Sequence, residues 1–271
     1  MVEERSFQFK DRSVYDMSIE EQPAMRNGGN DRSNDSLQPL LSVHDPEPPL
    51  EVLGEYEAFR SRTGSVDFQV TIADAQVRDT GQRLALHMAS VNGAIPGVVC
   101  VAVLNDSKES DRPQLTTESP SAPRPANRGK YGAPIDREPR YLIARHWRAT
   151  TQAWGWEFPR GMGNPEESPV QTALRELQEE TGITADTENV NILQTIHADT
   201  GILRDSIAVA VIELTPDGLP ETDTTNASRT DWELDNLRWV PRRRMRELIA
   251  AGGISDGITL AAFIIATSFG V

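Results

Sequence analysis

The residues best placed to do chemistry lie between Gly161 and Ile183, in the stretch Gly-Met-Gly-Asn-Pro-Glu-Glu-Ser-Pro-Val-Gln-Thr-Ala-Leu-Arg-Glu-Leu-Gln-Glu-Glu-Thr-Gly-Ile. Ser168 suits a helix N-cap, Pro169 the first helical position, and Gln171 completes a capping box. Gly182 is the natural stop, in a left-handed conformation. The spacing therefore predicts a helix over 169–181. At about 100° per residue, Glu176, Glu179 and Glu180 fall on one side of it, next to an apolar stripe of Val170, Leu174 and Leu177. That stripe must face the core, so the three carboxylates crowd at the edge of a buried face. Like charges three and four residues apart repel. A divalent cation relieves the repulsion, and clustered carboxylate oxygens suit Mg²⁺. Arg175 is spaced to pair with one of the carboxylates. A solvated acidic helix face is the alternative that this spacing alone leaves open.

The wider spacing resembles the signature of the Nudix hydrolase family, Gly-x5-Glu-x7-Arg-Glu-U-x-Glu-Glu-x-Gly-U, where U is a bulky aliphatic residue. Gly161, Glu167, Arg175, Glu176, Leu177, Glu179, Glu180, Gly182 and Ile183 meet every specified position. The resemblance implies an α/β fold, an α/β/α sandwich with a mixed sheet, here with an additional N-terminal β subdomain. It implies hydrolysis of a phosphorus anhydride with Mg²⁺ as cofactor and Mn²⁺ as the alternative. Glu176, Glu179 and Glu180 would ligate the metal, joined by the backbone carbonyl of Arg160. Gly161, Glu167, Arg175 and Gly182 would support them. Bound metal would neutralise a diphosphate, activate water and stabilise the leaving phosphate.

The flanks are similar to the ADP-ribose and ADP-sugar pyrophosphatase branch of that family. They comprise Arg145-His-Trp-Arg148, Trp156-Glu-Phe-Pro-Arg-Gly161, Ala198-Asp-Thr-Gly-Ile-Leu-Arg-Asp205 and Arg238-Trp-Val-Pro241. In that branch an arginine at the place of Arg148 contacts phosphate, although His146 here replaces the usual glutamine. Asp205 stands where the branch has a glutamate that positions the attacking water, and Thr200 where it has a proline. Trp156 is a candidate stacking residue for the base, with a strand-end core role as the plainer reading. His197 is either a proton-transfer group or a hydrogen-bonded strand-end histidine. The form Phe158-Pro159-Arg160-Gly161 departs from the branch's Glu-Leu-Pro-Ala-Gly and also occurs in enzymes of nucleoside triphosphates and dinucleoside polyphosphates. Three readings are open: an ADP-ribose or nucleotide-sugar pyrophosphatase, a triphosphate or dinucleotide pyrophosphohydrolase, and a nucleotide-sensing module that does not cleave.

The elements that must position these residues are partly legible. Phe68 to Ile72 alternates like a half-buried strand, and Gln82 to Ala89 follows the turn signal Asp79-Thr80-Gly81. Val98 to Leu104 is a continuous apolar run, the mark of a buried strand. Arg140 to Arg145, Val190 to Ile196 and Ile207 to Leu214 read as strands, and Pro241 to Ala251 and Ile258 to Ser268 as helices. Residues 1–48 are polar, with few aromatics, and are expected to form a disordered arm. The domain is expected over 49–271, with N-terminal strands in 49–95, an inserted loop in 105–138 and the catalytic core in 139–271.

A net charge of -14 argues against a nucleic-acid binder but not against a small nucleotide substrate held through a metal. The single cysteine, Cys100, excludes an internal disulfide and sits in the apolar run. No signal peptide or membrane span is read, so the expected setting is the cytoplasm with no membrane partner. The branch resemblance further implies a homodimer that exchanges its N-terminal strands.

Overall fold

The computed structural model describes residues 47–64, 66–105, 138–216 and 233–271. The expected disordered arm and most of the expected insertion at 105–138 lie outside the described residues. The chain divides at Pro49/Leu50, and the strands and helices of the described residues belong to the unit Leu50–Val271.

Three antiparallel strands open the unit: β1 (Leu50–Thr63), β2 (Val66–Val77) and β3 (Arg83–Val91), in the order β1-β2-β3. The expected turn joins β2 to β3, with Gly81 at φ 70° and its amide donating to the Val77 carbonyl. The second sheet runs β10 (Leu234–Pro241), β5 (Arg140–Arg148), β4 (Gly97–Leu104), β9 (Ile207–Leu214) and β8 (Val190–Ile196). Short strands β6 (Ala153–Glu157) and β7 (Arg160–Gly161) pair with β5 and β4. Strand β4 is parallel to β9, and its other pairings are antiparallel.

Every residue of β4 is buried, because helices cover both faces of the sheet. Val98, Cys100, Ala102 and Leu104 pack with Ala173 and Leu177 of α1 (Pro169–Thr181). Val99, Val101 and Val103 pack with Met245 of α2 (Arg242–Ala250) and with Ala262, Phe263 and Ala266 of α3 (Gly257–Ser268). The period of two along one strand thus serves two cores, and the layers are those of an α/β/α sandwich.

Helix α1 occupies the residues its capping signals predict. Ser168 Oγ accepts from the Gln171 amide at 3.3 Å, and the Ser168 amide donates to Gln171 Oε1 at 2.8 Å. Gly182 ends the helix at φ 72° with its amide on the Gln178 carbonyl. A cap of this kind contributes about 1 kcal/mol. Two helix starts differ from expectation by a residue. Pro241 is the extended residue before α2, closing β10, and α3 begins at Gly257 with Asp256 as N-cap, its Oδ2 accepting from the Thr259 amide at 2.8 Å. Strand β1 falls within the expected N-terminal strands of 49–95 and β6 ends beside the expected strand-end Trp156, but the sequence marks bounds for neither, and β7 and β10 were not expected. In β10 the left-handed Asn236 (φ 58°) and a register shift between Asp235 and Arg238 break the alternation that marks a strand.

Candidate active site

The register puts the critical residues at one end of the sheet. Val99 of β4 pairs with Arg160 and Val98 with Gly161, while Gly97 pairs with Ile207 at the start of β9. The chain then turns through Met162 to Glu167 into α1, whose exposed edge returns beside β7. Close packing demands glycine at the turn. A Cβ on Gly161 would sit 2.0 Å from the Glu176 carboxyl carbon, and one on Gly163 would sit 2.4 Å from the Pro96 carbonyl.

Arg175 organises the glutamates. Its Nε and Nη2 donate to Glu167 at 2.9 and 3.0 Å, and its Nη1 donates to Glu176 at 2.7 Å and to Glu179 at 3.0 Å. Its Nη2 also reaches the Met162 carbonyl at 2.8 Å, tying the helix to the turn. Glu180 accepts from the Arg160 amide at 3.1 Å and lies 3.9 Å from Nε2 of the buried His146.

The carboxylates are held in different states. Burial pushes Glu176 above the ordinary carboxylate range, with Arg175 opposing and Glu179 and Glu167 adding to the rise. The hydrogen bonds of Arg175, then those of Asn164, hold Glu167 down at about 2. Glu176 is therefore a buried carboxylate whose desolvation the Arg175 bond only partly offsets, and Glu167 an acid that the same arginine holds ionised.

The donors fit a hard divalent cation in chemistry. Glu176, Glu179 and Glu180 all offer oxygen donors on one helix, and the space left by Gly161 admits the Glu176 carboxyl group beside the Arg160–Gly161 peptide. Among the described residues no three His, Cys, Asp or Glu side chains already form a metal cage. In this arrangement the single charge of Arg175 spans Glu176 and Glu179.

Arg148 of β5 does not stand alone. Its Nε and Nη2 donate to Glu157 at 3.1 and 2.6 Å. Burial would raise Glu157, but the bond from Arg148 and the charges of Arg160 and Arg148 hold it below the ordinary range. Trp156 is half-buried, packed against the α2/α3-side core with the Arg145 guanidinium 5.4 Å from its ring centre. Both Asp205 oxygens accept from the Val91 amide, at 3.0 and 3.2 Å, and the Asp205 carbonyl lies 3.1 Å from Nδ1 of the exposed His197. The loop between β8 and β9 is thereby pinned to β3, helped by Ala89 amide to Ile202 carbonyl and Arg204 amide to Ala89 carbonyl bonds.

Sequence reasoning missed Glu157 and Asp256. The signal at Glu157 was an acid between Trp156 and Phe158 at the end of an apolar strand, a setting in which a carboxylate needs a partner.

Residues 128–260 match the NUDIX domain. A CMP-5'-(N-acetyl-N-hydroxy-3-aminopropyl)phosphonate hydrolase of Streptomyces rubellomurinus (strain ATCC 31215) is 30% identical over 117 residues, covering 43% of this chain and 52% of that protein. An RNA pyrophosphohydrolase of Stenotrophomonas maltophilia (strain K279a) is 45% identical over 47 residues, covering 17% of this chain and 22% of that protein. The chain thus spans about half the length of the first of these relatives and less of the second. The crystal structure of an ADP compounds hydrolase superposes with a TM-score of 0.54 at 15% identity, covering 83% of this chain and 96% of that one, a likeness of fold. The matched residues contain the complete glutamate helix and its turn, so this part of the chain carries a NUDIX domain.

Proposed function

We propose that this protein is a Nudix hydrolase that uses Mg²⁺ or Mn²⁺ to cut the pyrophosphate bond of a nucleoside diphosphate derivative, with ADP-ribose or a nucleotide sugar as the substrate class. The carrying observation is the single arginine, Arg175, that orders Glu167, Glu176 and Glu179 around the turn at Gly161. A solvated acidic face has no need of such a hub, nor of a buried Glu176.

Glu176, Glu179, Glu180 and the Arg160 carbonyl would hold the metal, which when bound neutralises the diphosphate and lowers the pKa of water. Arg175 holds Glu176 and Glu179 together on its Nη1 and, through the Met162 carbonyl, in line with the turn. Arg148 offers its guanidinium to a substrate phosphate, and Trp156 offers a ring edge to the base. Glu179, whose side chain is 60% exposed, has the solvent access to take a proton from the attacking water. Asp205 holds the β8–β9 loop against β3 rather than the proton.

The guanidinium of Arg160 beside that of Arg148 favours a second reading, in which a third phosphate is also bound and the substrate is a nucleoside triphosphate or dinucleoside polyphosphate. We further propose a homodimer through the N-terminal sheet, where Val52, Leu53, Tyr56 and Phe59 of β1 are exposed. Among the described residues no helix is long and apolar enough to cross a membrane.

The deciding experiment is turnover of ADP-ribose, ADP-glucose, NADH, diadenosine polyphosphates and nucleoside triphosphates with Mg²⁺, read as the phosphate that an added phosphatase releases from the monoester products, for the wild type and Glu180→Gln. Turnover led by ADP-ribose or ADP-glucose and lost in the variant is expected. Turnover led by triphosphates selects the second reading. Nucleotide binding with no turnover leaves a sensing module and removes the hydrolase reading.

A further inference from the structure

Glu157 is 2% exposed, yet its carboxylate is shared by two arginines from different strands. Arg148 donates from Nε and Nη2 at 3.1 and 2.6 Å, and Arg160 from Nε and Nη2 at 3.2 and 2.9 Å. Gly155 leaves the carboxylate its room, since a Cβ there would lie 3.3 Å from Glu157 Oε1.

The two arginines serve different halves of the site. Arg148 is the guanidinium proposed for a substrate phosphate. Arg160 is used through its backbone: its amide donates to Glu180 at 3.1 Å, and its carbonyl is the proposed metal ligand. The Arg160 side chain is held at a second point by Asp256 at 3.3 Å, the residue that caps α3. The Arg160 backbone is thus held at its amide by Glu180 and, through its side chain, by Glu157 and Asp256, on the residue whose carbonyl begins the Arg160–Gly161 peptide.

We propose that Glu157 is a positioning residue that sets both halves of the site together, presenting Arg148 to the substrate and, through the Arg160 side chain, fixing the peptide whose carbonyl joins the metal. This rests on the hydrolase reading. A buried carboxylate between Trp156 and Phe158 is a costly way to fill a strand end, because an apolar side chain would pack there without desolvating a charge. The charge is explained when two flexible cations must be placed. Groups that orient a metal ligand in this way govern affinity as strongly as many ligands do.

The test uses the full chain and has two readouts: Mn²⁺ binding without nucleotide, followed by electron paramagnetic resonance, and KM against kcat for ADP-ribose. Arg160→Ala is expected to weaken Mn²⁺ binding about tenfold, the effect of removing an orienting group. Arg148→Ala is expected to raise KM about tenfold while Mn²⁺ binding stays within about twofold, the mark of lost substrate binding alone. Glu157→Gln moves both readouts, because an amide cannot hold two guanidinium groups. A folded Glu157→Gln with only its melting temperature lowered overturns the proposal. Should that variant not fold, unchanged Mn²⁺ binding in Arg160→Ala overturns it. A wild type that binds Mn²⁺ but turns over no nucleotide removes the hydrolase reading, and the Mn²⁺ readout still decides the claim about Arg160.

Discussion

The carboxyl group of Glu176 fills the space where a side chain on Gly161 would stand, with its carbon 2.0 Å from an ideal Cβ. The glycine is required for room, and its replacement by the smallest side chain must displace either the turn or the buried acid. Gly161→Ala is therefore expected to lower stability by about 1–3 kcal/mol, as overpacking does. It is expected to weaken Mn²⁺ binding by at least about tenfold, since the acid that moves is a proposed ligand. Thermal melting and Mn²⁺ titration of the same sample check both.

At Asp205 the two roles separate by chemistry. As a strut for the Val91 amide it needs only an acceptor oxygen, which asparagine keeps. Asp205→Asn is expected to hold kcat within about threefold with an unchanged pH profile, whereas loss of a general base would cost about 10²–10⁴-fold. Asp205→Ala leaves the Val91 amide without that acceptor, a loss of about 1 kcal/mol. Faster hydrogen exchange at Val91 in the alanine variant alone is the signature. A dead asparagine variant would return Asp205 to proton transfer.

Glu167 predicts a pH dependence of stability. Its folded pKa of about 2 lies below the ordinary 4.5, so the ionised form stabilises the fold. That contribution is complete above the unfolded value and is lost as pH falls from about 4.5 toward 2. Glu167→Gln should flatten the part of acid unfolding that falls in this window and leave the profile above it unchanged. Urea midpoints across that range measure it, and equal slopes in the two proteins would show that Glu167 plays no part in acid unfolding.

Strand β1 leaves Val52, Tyr56 and Phe59 each more than half exposed. An apolar strand on a sheet edge invites a partner, and the partner proposed is a second copy of the chain. Sedimentation velocity at micromolar concentration is expected to give a dimer, and the double variant Tyr56→Glu, Phe59→Glu a monomer. A monomeric wild type sinks the idea.

Much of the fold and the site was legible because it rests on local chemistry. Ser168, Pro169, Gln171 and Gly182 bound α1 by capping alone, and the apolar run at 98–104 has the length and the β-branched residues of a strand buried on both faces. What escaped depends on distant partners. Strand β1 mixes Glu51, Glu55, Glu57 and Arg60 with its apolar residues and carries two register shifts, so no period of two survives in its sequence. Glu157 looks like a surface acid until β5 brings Arg148 beside it and β7 brings Arg160. Asp205 reads equally as a water-positioning acid or a plain loop residue, because Val91, whose amide it holds, lies 114 residues away in the chain.

The pairing of β4 with β9 also says something about time. Gly97 and Ile207 meet across nearly the whole catalytic segment, and contacts between such distant residues form slowly because a long loop must close first. Helix α1 carries its own capping box and can begin to form while the chain around it is still open. Its glutamates acquire their second wall, the Arg160–Gly161 peptide, only when β7 has docked on β4. In that order the acidic helix would precede the site, and a cation held by the proposed ligands would bind only after β7 has docked.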